Sequence, residues 1–250
     1  MKKEFGAILL LSAVMLSGCG SDNIQKQDSN EVSATQQDTK DAKLIGTSED
    51  KKVKLYEEAN DIKLDVNGKV KNFNWENPGN TGTDPQVFYT DVTEDGGEEA
   101  VVIINTGRGT ELDIFDIHVV DEDLHEIKVP DYKEITENYI KSNVVKKDAN
   151  TLGITAKVQG TEHNLDFDFA DLGFDPQPDL KLKQNELAFG GTTIYFLEHQ
   201  KIKLNLIGSV AISATPTYVV DFIITYAFDN TKNEFIVDQI DVKPVEYKKG

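Results

Sequence analysis

The chain has 250 residues, and 44 Asp and Glu against 26 Lys and Arg leave a formal charge of -18 at neutral pH. So acidic a surface repels phosphate backbones and anionic lipid headgroups, which excludes a nucleic-acid partner. Apolar residues make up 38% of the chain, with 12 Phe and 8 Tyr, enough for a real core, while its single cysteine excludes an internal disulfide and a cysteine-based metal cluster.

In chain order, Lys2 and Lys3 precede the apolar run Phe5–Leu16, a charged segment followed by a stretch too short to span a bilayer. That is the order of a secretory signal peptide. Leu16, Ser17, Gly18 and Cys19 follow at once and resemble the lipobox of bacterial lipoproteins. The resemblance implies that residues 1–18 are a lipoprotein signal peptide and that Cys19 carries the lipid, including palmitate-type acyl chains. It also implies a cell-membrane location facing outside the cytoplasm. Each buried methylene contributes about 0.8 kcal/mol, so such an anchor is essentially permanent. Lipidation also accounts for an odd cysteine in an exported chain.

Residues 19–52 are mostly Ser, Asp, Asn, Gln, Thr and Lys, and read as a disordered tether with a reach of about 30 Å. From residue 53 to 250 the pattern changes. Apolar residues recur with period two in runs rich in Val, Ile, Phe and Tyr, and the expected fold is α+β, mostly β, with antiparallel strands in a sheet or sandwich. Strands are expected over 62–66, 70–75, 87–91, 100–105, 112–120 and 124–129, the first two joined at Asn67-Gly68, which suits a type I′ turn. Pro130, Asp131 and Glu134 place one capped helix over 131–141. Further strands are expected over 154–158, 164–169, 192–197, 201–210, 218–228 and 234–242, with an irregular segment over 170–191. The similar rhythm of 53–145 and 146–250 leaves two subdomains open.

The most structured motif runs from Tyr89 through Asp91, Thr93, Asp95, Gly96 and Glu99 into Ala100–Ile104 and then Asn105-Thr106-Gly107-Arg108-Gly109-Thr110. Oxygen ligands at alternate positions about a glycine suit Ca²⁺, with Asp91, Thr93, Asp95 and Glu99 as the ligand set. The alternative is a turn in which Asp91 and Asp95 accept local backbone amides. The segment resembles the calcium repeats of β-propeller type, although Glu94 stands where they have the turn glycine and Thr93 where they have a second carboxylate. It is more closely similar to an uncharacterised lipoprotein family of Gram-positive spore-forming bacteria, through Asp91, Val92, Thr93, Asp95, Gly96, Glu98 and Glu99 and the later Thr106-Gly107-x-Gly109-Thr110. That resemblance implies a lipid-anchored extracytoplasmic domain of unknown activity.

Arg108, the sole arginine, lies between two glycines in what reads as a loop, either solvated or approaching an anion. His118, His125, His163 and His199 form no metal-binding pair or catalytic triad order. Phe73 and Trp75 fall on one strand face and read as core. The functional expectation is a non-catalytic domain binding an envelope protein or wall component, membrane-held through its lipid. The alternative is a calcium-dependent receptor or enzyme whose cleft joins the Asp91–Glu99 turn to the Gly107–Thr110 loop.

Overall fold

The computed structural model describes residues 42–58, 61–212 and 215–247, so the signal segment, Leu16, Ser17, Gly18, Cys19 and most of the expected tether lie outside the described residues. The first described strand begins at Lys43, ten residues before the expected boundary at 53. Strand β1 (Lys43–Thr47) pairs antiparallel with β2 (Val53–Glu58). Ser48 closes the turn between them, its Oγ donating to Asp50 Oδ1 at 2.6 Å and accepting the Val53 amide at 3.0 Å. Most of β1 is exposed, so the ladder to β2 holds it together with Ile45, which packs half-buried against the core of the first sheet.

β3 (Asp61–Val66) and β4 (Lys69–Phe73) complete this first sheet, in the order β1-β2-β3-β4. The hairpin between them turns at Asn67 and Gly68, both at positive φ (52° and 86°), as the Asn-Gly pair requires. Asp65 Oδ1 accepts the Gly68 amide at 2.7 Å.

A larger sheet follows: β5 (Gln86–Thr90), β6 (Glu99–Gly109), β7 (Leu112–Val120) and the short β8 (Glu126–Ile127) on β7. Helix α1 (Tyr132–Tyr139) then leads into a three-stranded sheet of β9 (Ile140–Lys146), β10 (Thr151–Val158) and β11 (Thr161–Asp168). The chain returns to the large sheet with β12 (Thr192–Glu198), β13 (Lys201–Val210), β14 (Thr217–Asp229) and β15 (Glu234–Pro244). Its order is β15-β14-β13-β12-β7-β6-β5, and β12 lies parallel to β7 through Thr192 opposite Asp113 and Thr193 opposite Ile114. The two halves of the chain therefore share one sheet, which removes the division at 145/146 into two subdomains. The fold is mostly antiparallel β with sandwich-like layering and one helix among the described residues.

β6 shows why the layers form. Ala100, Val101, Val102, Ile103 and Ile104 are all at 0% exposure. Ala100, Val102 and Ile104 join a core with Leu55, Leu64 and Trp75 of the first-sheet region. Val101 and Ile103 point the other way, into a core with Ile135 of α1, Ile154 of β10 and Phe222 of β14. Period-two alternation on a strand covered on both faces gives an unbroken apolar run.

Two boundaries differ from expectation. α1 has its Asp131 cap and the Glu134 capping box, but it stops at Tyr139, because Ile140 and Val144 gain more by alternating into the core at 5% and 1% exposure. β6 runs on through Gly107-Arg108-Gly109, past a bulge at Asn105/Gly107, since these residues pair with Ile114, Asp113 and Leu112 of β7. At the far end of the sheet, Gln159 lies against the edge strand β15. Its side chain donates to Asp238 O at 3.0 Å and accepts the Ile240 amide at 3.1 Å, standing in for one peptide unit of a further strand.

Candidate functional site

The Asp91–Glu99 segment is the β5–β6 turn, and its oxygens are engaged with their own backbone. Asp91 accepts the Glu94 amide through Oδ1 at 2.7 Å and the Gly96 amide through Oδ2 at 3.0 Å. Asp95 Oδ1 accepts the Gly97 amide at 2.8 Å. Glu99 is buried, accepting the Val92 amide at 3.0 Å and the Thr93 hydroxyl at 3.3 Å. Burial pushes the Glu99 carboxyl above its usual range, partly opposed by the amides of Val92 and Thr93. Asp91, Thr93, Asp95 and Glu99 thus share one turn, but among the described residues no group of three or more His, Cys, Asp or Glu side chains converges as a metal site. Glu94, in the place of a turn glycine, takes φ 61°.

Arg108 is a strand residue rather than a loop residue, and its Nη1 donates to Thr83 Oγ1 at 2.7 Å. Because Glu99 and Gly107 sit near opposite ends of β6, eight residues apart, the turn and the glycine segment are separated by about 27 Å. The expected cleft joining them is therefore not formed: the turn and the glycine segment lie at opposite ends of one extended strand.

Two other clefts border the large sheet. β7 pairs with β6 along one edge, but on its other edge meets β12 only at 113–114 and β8 only at 119–120. Between those contacts opens a cleft of about 450 Å³, bordered by Asp116, His118, Glu126, Asp131 and Tyr195. His118 Nδ1 lies 2.7 Å from Glu126 Oε1, and this contact, above all, holds the Glu126 carboxyl below its usual range. Behind it the Trp75 ring stacks on His118 with centroids 4.0 Å apart, and Phe73 stacks on Trp75 at 4.3 Å. Phe73 and Trp75 are core, as their spacing suggests. His118 joins them because it faces Val102 across the β6–β7 ladder, a register the linear sequence does not display. Tyr195 is buried, which pushes its hydroxyl well above its usual range, so it stays protonated and can only donate or accept a hydrogen bond.

The second cleft, of about 720 Å³, follows β5 from Val87 to Thr90, between the Ser48–Asp50 turn and Leu197 with Gln200 at the β12–β13 turn. Glu98, at the end of the acidic turn, borders it and pairs with Lys52 at 3.2 Å. Lys52 also sits 5.0 Å from the Tyr89 ring centre and 3.3 Å from Asp50. The Ser48 hydroxyl, chiefly, keeps Asp50 below the usual carboxylate range. Nothing in the local sequence marks this groove, since its walls come from segments roughly 40 and 110 residues from β5.

The chain matches no protein-family model, no curated protein and no solved structure. Among the described residues no helix is long and apolar enough to cross a membrane.

Proposed function

We propose that this chain is a lipid-anchored extracytoplasmic lipoprotein whose β-rich domain binds a partner in the cell envelope without catalysing a reaction. The observation that carries the reading is the order of Lys2 and Lys3, the apolar run to Leu16, and Leu16-Ser17-Gly18-Cys19 ending on the only cysteine of the chain. A domain whose two apolar cores need no crosslink supports it, because the sole thiol is then free to serve as the anchor. With a charge of -18, basic envelope proteins suit the surface better than polyanionic wall polymers.

The test is metabolic labelling with a radioactive fatty acid together with detergent phase partition, on the native chain and on Cys19→Ser. The native protein takes up label and enters the detergent phase; the variant is unlabelled and stays aqueous or unprocessed. A Cys19→Ser protein that fractionates with membranes as the native one does would refute the anchor.

A further inference from the structure

The two ends of the large sheet are treated differently. At β15 the Gln159 side chain occupies the amide of Ile240 and the carbonyl of Asp238, where an added strand would pair. At the other end, among the described residues, β5 hydrogen-bonds β6 on one side and no strand on the other, with β1 and β2 packed near it but not paired to it. Among the described residues six strands stand at the ends of the three sheets, namely β1, β4, β9, β11, β15 and β5, besides the two-residue β8 with its Glu126 on β7. Five of them carry charged residues, such as Lys69 and Lys71 in β4 or Glu162 and Asp166 in β11, the usual guard against unwanted pairing. β5 alone, Gln-Val-Phe-Tyr-Thr, carries none.

That unguarded edge also forms the floor of the 720 Å³ groove, which follows residues 87–90. Its apolar lining comes from Val87, Phe88 and Leu197, and its rim carries Glu49, Asp50 and Glu98; Lys52 pairs with Asp50 and Glu98, and Lys201, beside Gln200, is held by Glu94 at 3.4 Å. We infer that β5 is a docking edge, at which an extended peptide of alternating basic and apolar residues adds to the sheet as a further strand. Backbone groups of β5 supply the ladder, Phe88 and Leu197 take the apolar side chains, and the acidic rim takes the basic ones. About four residues of partner fit along 87–90, at 3.4 Å each. A basic occupant is favoured over a second copy of this chain, because two copies each bearing a charge of -18 would meet acidic rim to acidic rim.

The inference rests on reading the domain as a binding module, but not on the lipid. The full-length chain in mild detergent is titrated with an octapeptide alternating Lys and Val, with its Glu-Val counterpart as control, and amide hydrogen exchange is followed residue by residue. The Lys-Val peptide is expected to slow exchange of amides within 87–90 at least tenfold, to lose that effect in high salt, and to bind Glu49→Lys roughly two- to fivefold more weakly. Four results overturn the inference: no binding at low salt, equal binding of the acidic peptide, protection mapping away from β5, or β5 protection without peptide in a dimer. Cys19→Ser is run alongside. Peptide binding kept by a variant that has not left the membrane fraction refutes the anchor alone, whereas a lipidated chain that ignores the peptide refutes the docking edge alone.

Discussion

Replacing Asp91 separates a turn held by its own amides from a turn held by an ion. The Asp91 carboxylate accepts two backbone amides, those of Glu94 and Gly96, at 2.7 and 3.0 Å. Asp91→Ala leaves both without that acceptor, at a cost of about 2 kcal/mol for the pair in this half-exposed turn. In a domain of this size each kcal/mol shifts the melting temperature by about 2–4 °C, so a fall of about 4–8 °C is expected. Asp91→Asn keeps one acceptor oxygen and is expected to lose about half as much. The assay is thermal unfolding followed by circular dichroism, with and without millimolar Ca²⁺. Neither the native protein nor the variants should respond to the ion. The reasoning is refuted if Asp91→Ala melts with the native protein, or if Ca²⁺ raises the native melting temperature and not that of Asp91→Asn.

Ile103→Ala, in the strand covered on both faces, is expected to cost about 2–5 kcal/mol, seen as a lower urea midpoint with an unchanged slope. Gln159→Ala removes both hydrogen bonds to the β15 edge and is expected to cost about 1–2 kcal/mol, with faster exchange of the Ile240 amide as its local signature. Glu126 is held below its usual range by His118, so its contribution to stability is present above the ordinary carboxylate range and is lost as pH falls through its folded value. Urea unfolding across the acidic range should show Glu126→Gln with a flatter acid-side decline than the native chain. Glu99 runs the opposite way: its raised value means that stability falls as pH rises out of the carboxylate range, and unfolding of Glu99→Gln should lack that decline.

The elements that could be read from the sequence are those whose cause is local. Asn67-Gly68 carries its turn in two residues, Asp131 and Glu134 carry the helix start in four, and the apolar run of β6 announces a strand covered on both faces. The other elements depend on distant partners. β1 is a strand because β2 offers it a ladder, and the helix ends at Tyr139 because Ile140 and Val144 find a core built largely from later residues. Gly107-Arg108-Gly109 resembles a loop by composition and becomes a strand by pairing with β7. The acidic turn was legible as a constellation, including the backbone-satisfied alternative. The groove beside it was not, because Leu197 and Gln200 reach it only through the parallel contact of β12 with β7.

That contact also sets an order of events. β7 ends at Val120, and the strand that pairs beside its start begins at Thr192, with α1 and a whole three-stranded sheet in between. The central sheet cannot close until some seventy further residues have been made and brought back, a costly loop to shut and a slow step in folding. A chain emerging N-terminus first can complete the β1–β4 meander early, but its large sheet waits for its C-terminal half. Until then the inner edge of β7 and the apolar faces of β6 lack their partners, which makes the half-emerged chain the state most in need of a chaperone and most exposed to proteases.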